Sequence, residues 1–125
     1  VTQSGLPYLA ELEAEDFVST QSAILRHVRG PERIDAIFST KNTTTVHIFK
    51  ILKELGIRIP GQIGLIGFDD FDLADALDPP ISVVRQPISK MATRAAEMLF
   101  EEMKDQKPSS HTTTLDVELV LRGSC

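Results

Sequence analysis

The stretch that decides the fold is "IGLIGFDDFDLADALDPPISVVRQP", Ile63 to Pro87, in which an apolar run halts at two adjacent carboxylates and a double proline leads into a second apolar run. Neither "IGLIGF" nor "ISVVRQ" alternates apolar with polar residues, as expected of strands buried on both faces. Upstream, "IDAIFST", Ile34 to Thr40, is a third short apolar strand followed by polar residues. Between these strands the chain reads as a helix. Asn42 can cap it, Val46, Phe49 and Leu52 form one apolar line, Ile48, Leu52 and Leu55 form another, and Gly56 ends it. Strands alternating with helices predict an α/β fold: a parallel sheet with helices on both faces.

The flanks fit this frame. Ser19 or Thr20 is the expected N-cap of a helix that buries Ala23, Ile24, His27 and Val28 and stops at Gly30-Pro31. Val1 to Phe17 carries few signals, and its "AELEAED" is an acidic, solvated stretch. After Pro87 a helix is expected from Ser89 to Lys104, with Ile88, Met91, Ala92, Ala95, Met98, Leu99 and Met103 at helical spacing. "KDQKPSSHTTT" is a polar linker. The closing "LDVELVLR" alternates, which predicts an edge strand burying Leu115, Val117, Leu119 and Leu121.

Composition narrows the function. A chain of 125 residues, 42% hydrophobic, supports one domain or part of one. Thirteen basic against eighteen acidic side chains, net −5, argue against this segment tracking a phosphate backbone by itself. The single cysteine, Cys125, leaves no internal disulfide and fits a reducing compartment. No apolar stretch approaches the roughly 18 residues that span a bilayer. Val1 in place of Met suggests a processed or excised piece.

In an open parallel sheet, ligands sit beyond the carboxyl ends of the strands. Three such ends are available: Thr40-Lys41-Asn42, Asp69-Asp70 and Arg85-Gln86. Paired carboxylates can hold a metal or do acid/base work, but the neighbours supply neither further oxygen ligands nor a nucleophile. Successive strand residues point to opposite faces, so Asp69 and Asp70 should differ, one facing the crevice and one capping the following turn. His27, His47 and His111 lack metal-ligand spacing, and no glycine-rich phosphate loop is present, so neither metal nor cofactor is expected. Lys41, a cation beside a helix N-terminus, makes a spot suited to a carboxylate or phosphate; a solvated surface lysine is the plainer reading.

The order "DAIFSTKN", "ELGIRIPGQIGLIGFDD", "PPISVVRQP" and "LVLRGSC" closely resembles the C-terminal part of the effector-binding region of the lactose/galactose repressor family. The likeness is close over Ala36 to Cys125 and loose over Val1 to Arg33. It implies a periplasmic-binding-protein-like type I fold, here partial. Residues 1–87 would form an incomplete C-terminal effector-binding subdomain, 88–114 a helix and linker packing on an N-terminal subdomain, and 115–125 the returning strand. It further implies a cytoplasmic, sugar-responsive transcriptional regulator with no enzymatic activity, a homodimer that reads operator DNA through an N-terminal helix-turn-helix. By the same resemblance Asp69 and Gln86 are effector contacts, and the helix from Asn42 with the loop "DLADALDPP" places Val46, His47, Lys50, Ala74 and Leu77 at the dimer interface.

Two departures stand out. The family's usual polar pair after the first of these strands is Lys41-Asn42 here, and an ammonium at the effector position favours an acidic sugar or sugar acid. The family's usual glycine in the next helix is His47. Because the DNA-reading unit, the first subdomain and a principal sugar-binding arginine are not visible, this chain should neither bind operator nor hold its effector well. The apolar face of the helix after Pro87 is expected to refold on the sheet or pair with another chain. A receptor of the same fold serving sugar transport is the alternative, and a phosphatase or hydrolase using Asp69 a more distant one.

Overall fold

The structure is a computed structural model that describes residues 16–29, 33–105 and 112–125. Its elements run α1 (Phe17–Arg29), β1 (Ala36–Ser39), α2 (Asn42–Glu54), β2 (Gly64–Phe68), β3 (Ser82–Arg85), α3 (Ile88–Asp105) and β4 (Glu118–Val120). The sheet order is β1-β2-β3-β4, with β1, β2 and β3 parallel and β4 antiparallel at the edge. The α/β reading and the parallel sheet are therefore correct, and the final strand does lie at an edge.

Helix α2 begins in a β-branched run, Thr43-Thr44-Thr45-Val46, that has little intrinsic helical preference. Packing holds it. Thr45, Ile48, Ile51 and Leu52 are buried against a core that includes Leu65, Ile81 and Val83. Each fully buried aliphatic side chain contributes about 1.5–3 kcal/mol. The helix closes where Gly56, at φ 69°, lets the Ile57 N–H reach back to the Leu52 carbonyl at 2.9 Å. Helix α1 packs beside α2 and adds Ile24 to the same core.

Several local expectations are corrected. The cap of α1 is Asp16 instead of Ser19 or Thr20: its carboxylate accepts the Ser19 N–H at 2.7 Å, and its own N–H donates to Ser19 Oγ at 3.2 Å. Residues 30–32, where the stop was expected, lie outside the described residues. Helix α2 is capped by Lys41 without a side-chain hydrogen bond, and the Asn42 amide oxygen takes the adjacent Thr43 N–H at 2.7 Å.

The closing segment is inverted relative to its expected face. Val117, Leu119 and Leu121 are more than half exposed, while Val120 packs on the core opposite the fully buried Val83. Alternation gave the two rows, but the row directed at the helix-covered side is the more polar one that contains Val120, and of the other row Leu115 is half-buried. Among the described residues helices cover one face of the sheet, and Leu119 joins Phe38, 56% exposed, on the other.

Helix α3 does not fold back. It packs on no other described helix or strand, and Ile88, Leu99, Phe100 and Met103 stand exposed. A groove of about 290 Å³ lined by Ser89, Lys90, Thr93, Arg94 and Glu97 has only this helix as its wall, so it encloses nothing.

Candidate effector site at the strand ends

Parallel register sets the site. Ser39 pairs with Gly67, and Phe68 with Val84, so the carboxyl ends of β1, β2 and β3 emerge along one edge of the sheet. Lys41, Asp69 and Gln86 are the residues that follow.

The Lys41 backbone is held firmly. Its carbonyl accepts the Thr45 N–H at 2.9 Å, Thr45 Oγ1 at 3.0 Å and Ser39 Oγ at 3.1 Å. Its side chain is exposed and, among the described residues, makes no ion pair. A free ammonium therefore stands on an anchored backbone beside the positive end of α2.

Asp69 adopts a left-handed φ of 70°, the only non-glycine positive φ among the described residues. Aspartate tolerates this region better than bulkier side chains. The turn keeps the Asp69 N–H on the Val84 carbonyl at 2.9 Å and carries the carboxylate to Gln86, whose side-chain amide donates to Oδ1 at 2.5 Å. One carboxylate oxygen is thereby oriented, and the other keeps its acceptor capacity.

Asp70 is occupied differently. Arg85 donates to its Oδ2 through Nη2 at 2.6 Å and Nε at 2.9 Å. Arg122 Nη2 reaches Oδ2 at 2.9 Å and Oδ1 at 3.1 Å, and the Phe71 N–H reaches Oδ1 at 3.0 Å. The Arg122 hydrogen bonds, followed by those from Arg85, hold this carboxyl down to about 2 against the opposing cost of burial. Asp70 in turn raises the pKa of Arg85. Both Asp70 oxygens are engaged by guanidinium groups, so the two aspartates do not converge on a common metal or substrate. Among the described residues no cluster of three metal-capable ligands exists.

The other residues singled out in the sequence lie apart from this edge. Val46 is exposed on α2, and the half-buried His47 meets Phe17 edge to face at 5.4 Å. Lys50 stands over the Phe17 ring at 5.3 Å and 3.9 Å from Glu54. Ala74 is fully buried and Leu77 packs against the core, so Ala74 offers no surface to a second chain. His27 Nδ1 lies 2.9 Å from the Ala23 carbonyl within α1. His111 falls outside the described residues.

Sequence reading missed the two arginines on Asp70, and it missed Ser124. Arg122 lies fifty-two positions from Asp70, a separation that leaves no local pattern to find. The fully buried Ser124 accepts the Ser82 N–H at 2.8 Å and donates to the Leu65 carbonyl at 2.5 Å, bridging β2 and β3 at the amino-terminal end of their pairing.

The comparisons with known proteins agree with this architecture. The periplasmic binding protein-like domain matches residues 1–125. The HTH-type transcriptional repressor PurR of Vibrio vulnificus is 33% identical over 93 residues, 74% of this chain and 28% of that protein. The HTH-type transcriptional regulator KdgR of Bacillus subtilis is 29% identical over 122 residues, 97% of this chain and 36% of that protein. A LacI family transcriptional regulator from Arthrobacter, solved in complex with lactose, superposes with a TM-score of 0.75 at 25% identity, covering 88% of this chain and 41% of that one. The chain thus spans about a third of the length of these curated relatives. It belongs to the periplasmic binding protein-like domain family, and its relatives there are transcriptional regulators of the LacI family.

Proposed function

We propose that this chain is the effector-sensing part of a cytoplasmic, sugar-responsive transcriptional repressor, and that its effector is an acidic sugar held at Lys41, Asp69 and Gln86. The observation that carries this reading is the Asp69 carboxylate, turned by its left-handed backbone onto Gln86 at the shared edge of three parallel strands. An oriented carboxylate with a spare oxygen is an acceptor for sugar hydroxyls and performs no chemistry on them. The lactose complex of a regulator with the same fold supports a sugar, and the PurR and KdgR relatives support a regulator.

Lys41 supplies the charge preference. A charge-assisted hydrogen bond contributes about 1.5–3 kcal/mol against about 0.5–1.5 for a neutral one, enough for roughly a tenfold preference. Keto-deoxy sugar acids and uronate-derived metabolites have the required carboxylate. In the assembled protein, α2 joins two copies through Val46, His47 and Lys50 with Leu77 at the rim, and operator contact comes from a separate helix-turn-helix. Residues 1–87 and 115–125 form the sensing body, and residues 88–114 pack on the other effector-binding subdomain.

Calorimetric titration of the intact protein, with its other effector-binding subdomain present, against galactose and galacturonate, and against gluconate and 2-keto-3-deoxygluconate, tests the reading. The acids are expected to bind about tenfold more tightly than a neutral sugar, and Lys41→Ala to erase the difference. Equal affinity for acid and neutral sugar, or a preference that survives Lys41→Ala, sinks the acidic-sugar assignment.

A further inference from the structure

We propose that Asp70 is the positioning residue of this edge: with Arg122 and Arg85 it fixes the backbone that presents Asp69 and Gln86. The inference rests on the reading of Asp69 as an effector contact, but its mechanism is mechanical and stands in the ligand-free chain.

Asp70 ties together three segments of the described residues, those of Asp69, Gln86 and the chain end after β4. It follows Asp69 directly, Arg85 directly precedes Gln86, and Arg122 belongs to the segment that leaves β4. One carboxylate joins these three through four guanidinium contacts, all between 2.6 and 3.1 Å. Arg122 is itself located, because Nη1 donates to the Ile81 carbonyl at 2.6 Å and its N–H donates to Ser82 Oγ at 2.9 Å. Arg85 is further braced by Glu118, its antiparallel partner, at 3.4 Å.

The cluster also spans both chain crossings to α3. The chain leaves the sheet through Gln86 and Pro87 and returns by residues 112–117 into β4. Asp70 therefore clamps the outgoing strand to the returning one, next to an aspartate whose left-handed backbone needs surrounding restraint. The Arg122 and Asp70 side chains are only 16% and 20% exposed, so this pair is shielded from competing water, whereas Arg85, 44% exposed, closes the cluster on its solvent side. A carboxamide at position 70 keeps the size but cannot accept paired guanidinium forks on both oxygens.

The test is amide hydrogen exchange by NMR on the full chain without ligand, comparing the native sequence with Asp70→Asn and Arg122→Lys. Either variant is expected to speed exchange at the Asp69 N–H and the Gln86 side-chain amide at least about tenfold, leaving Leu65 within about twofold. Arg122→Lys keeps the charge, so an effect there identifies the fork geometry and gives a second reading if Asp70→Asn does not fold. Unchanged exchange at Asp69, or equal acceleration at Asp69 and Leu65, overturns the proposal, because the cluster would then act nowhere in particular or only on global stability. Equal affinity of the intact protein for acid and neutral sugars would count against the effector reading and leave this exchange result intact.

Discussion

Gly67 of β2 faces Thr45 of α2 so closely that a Cβ on the glycine would lie 2.9 Å from Thr45 Oγ1 and 3.0 Å from its Cγ2. Thr45 is fully buried and its hydroxyl is committed to the Lys41 carbonyl at 3.0 Å. Strand β2, the start of α2 and the backbone of Lys41 are therefore one packed unit.

Gly67→Ala should push the first turn of α2 off the sheet. Overpacking of this kind costs about 1–3 kcal/mol, measurable by urea unfolding. The displacement should also weaken any preference for acidic sugars, because it moves the anchor of Lys41. An unfolding midpoint equal to that of the native chain would show that Thr45 gives way freely.

Ser124→Ala removes the bridge between β2 and β3. The Ser82 N–H and the Leu65 carbonyl would lose a buried partner, at roughly 2–4 kcal/mol for the pair. Chemical denaturation of the variant measures this loss. A change below about 0.5 kcal/mol would mean that water or a shift of the C-terminal segment restores both bonds.

Acid should undo the Asp70 cluster late. The carboxyl is lowered from 3.8 to about 2 in the folded chain, so its stabilisation is present above about 3.8 and is lost as pH falls through about 2. Allowing for solvent screening, that contribution is about 1–2 kcal/mol. Stability measured from pH 5 to pH 2 should fall less steeply in Asp70→Asn than in the native chain. Parallel curves would show that Asp70 has the same affinity for protons folded and unfolded.

How much of this was legible beforehand depends on the range of the interaction. The strands of "IGLIGF" and "ISVVRQ", the helix ending at Gly56 and the helix after Pro87 follow from apolar spacing and glycine chemistry within a few residues. The strand-end placement of Lys41, Asp69 and Gln86 followed too, because parallel strands share a direction. The cap of α1 did not, since Asp16 and Ser19 are both good capping residues and only the hydrogen bonds choose between them.

Sequence by itself determined the element order, the α/β class and which residues follow the strand ends, because these depend on local periodicity. Tertiary structure alone decided which row of the last strand meets the core, since alternation separates two rows without saying where the helices lie. It alone paired Asp70 with Arg122 and set Ser124 between Leu65 and Ser82. Those contacts join residues more than forty positions apart, and only the folded chain brings their hydrogen-bonding groups within reach.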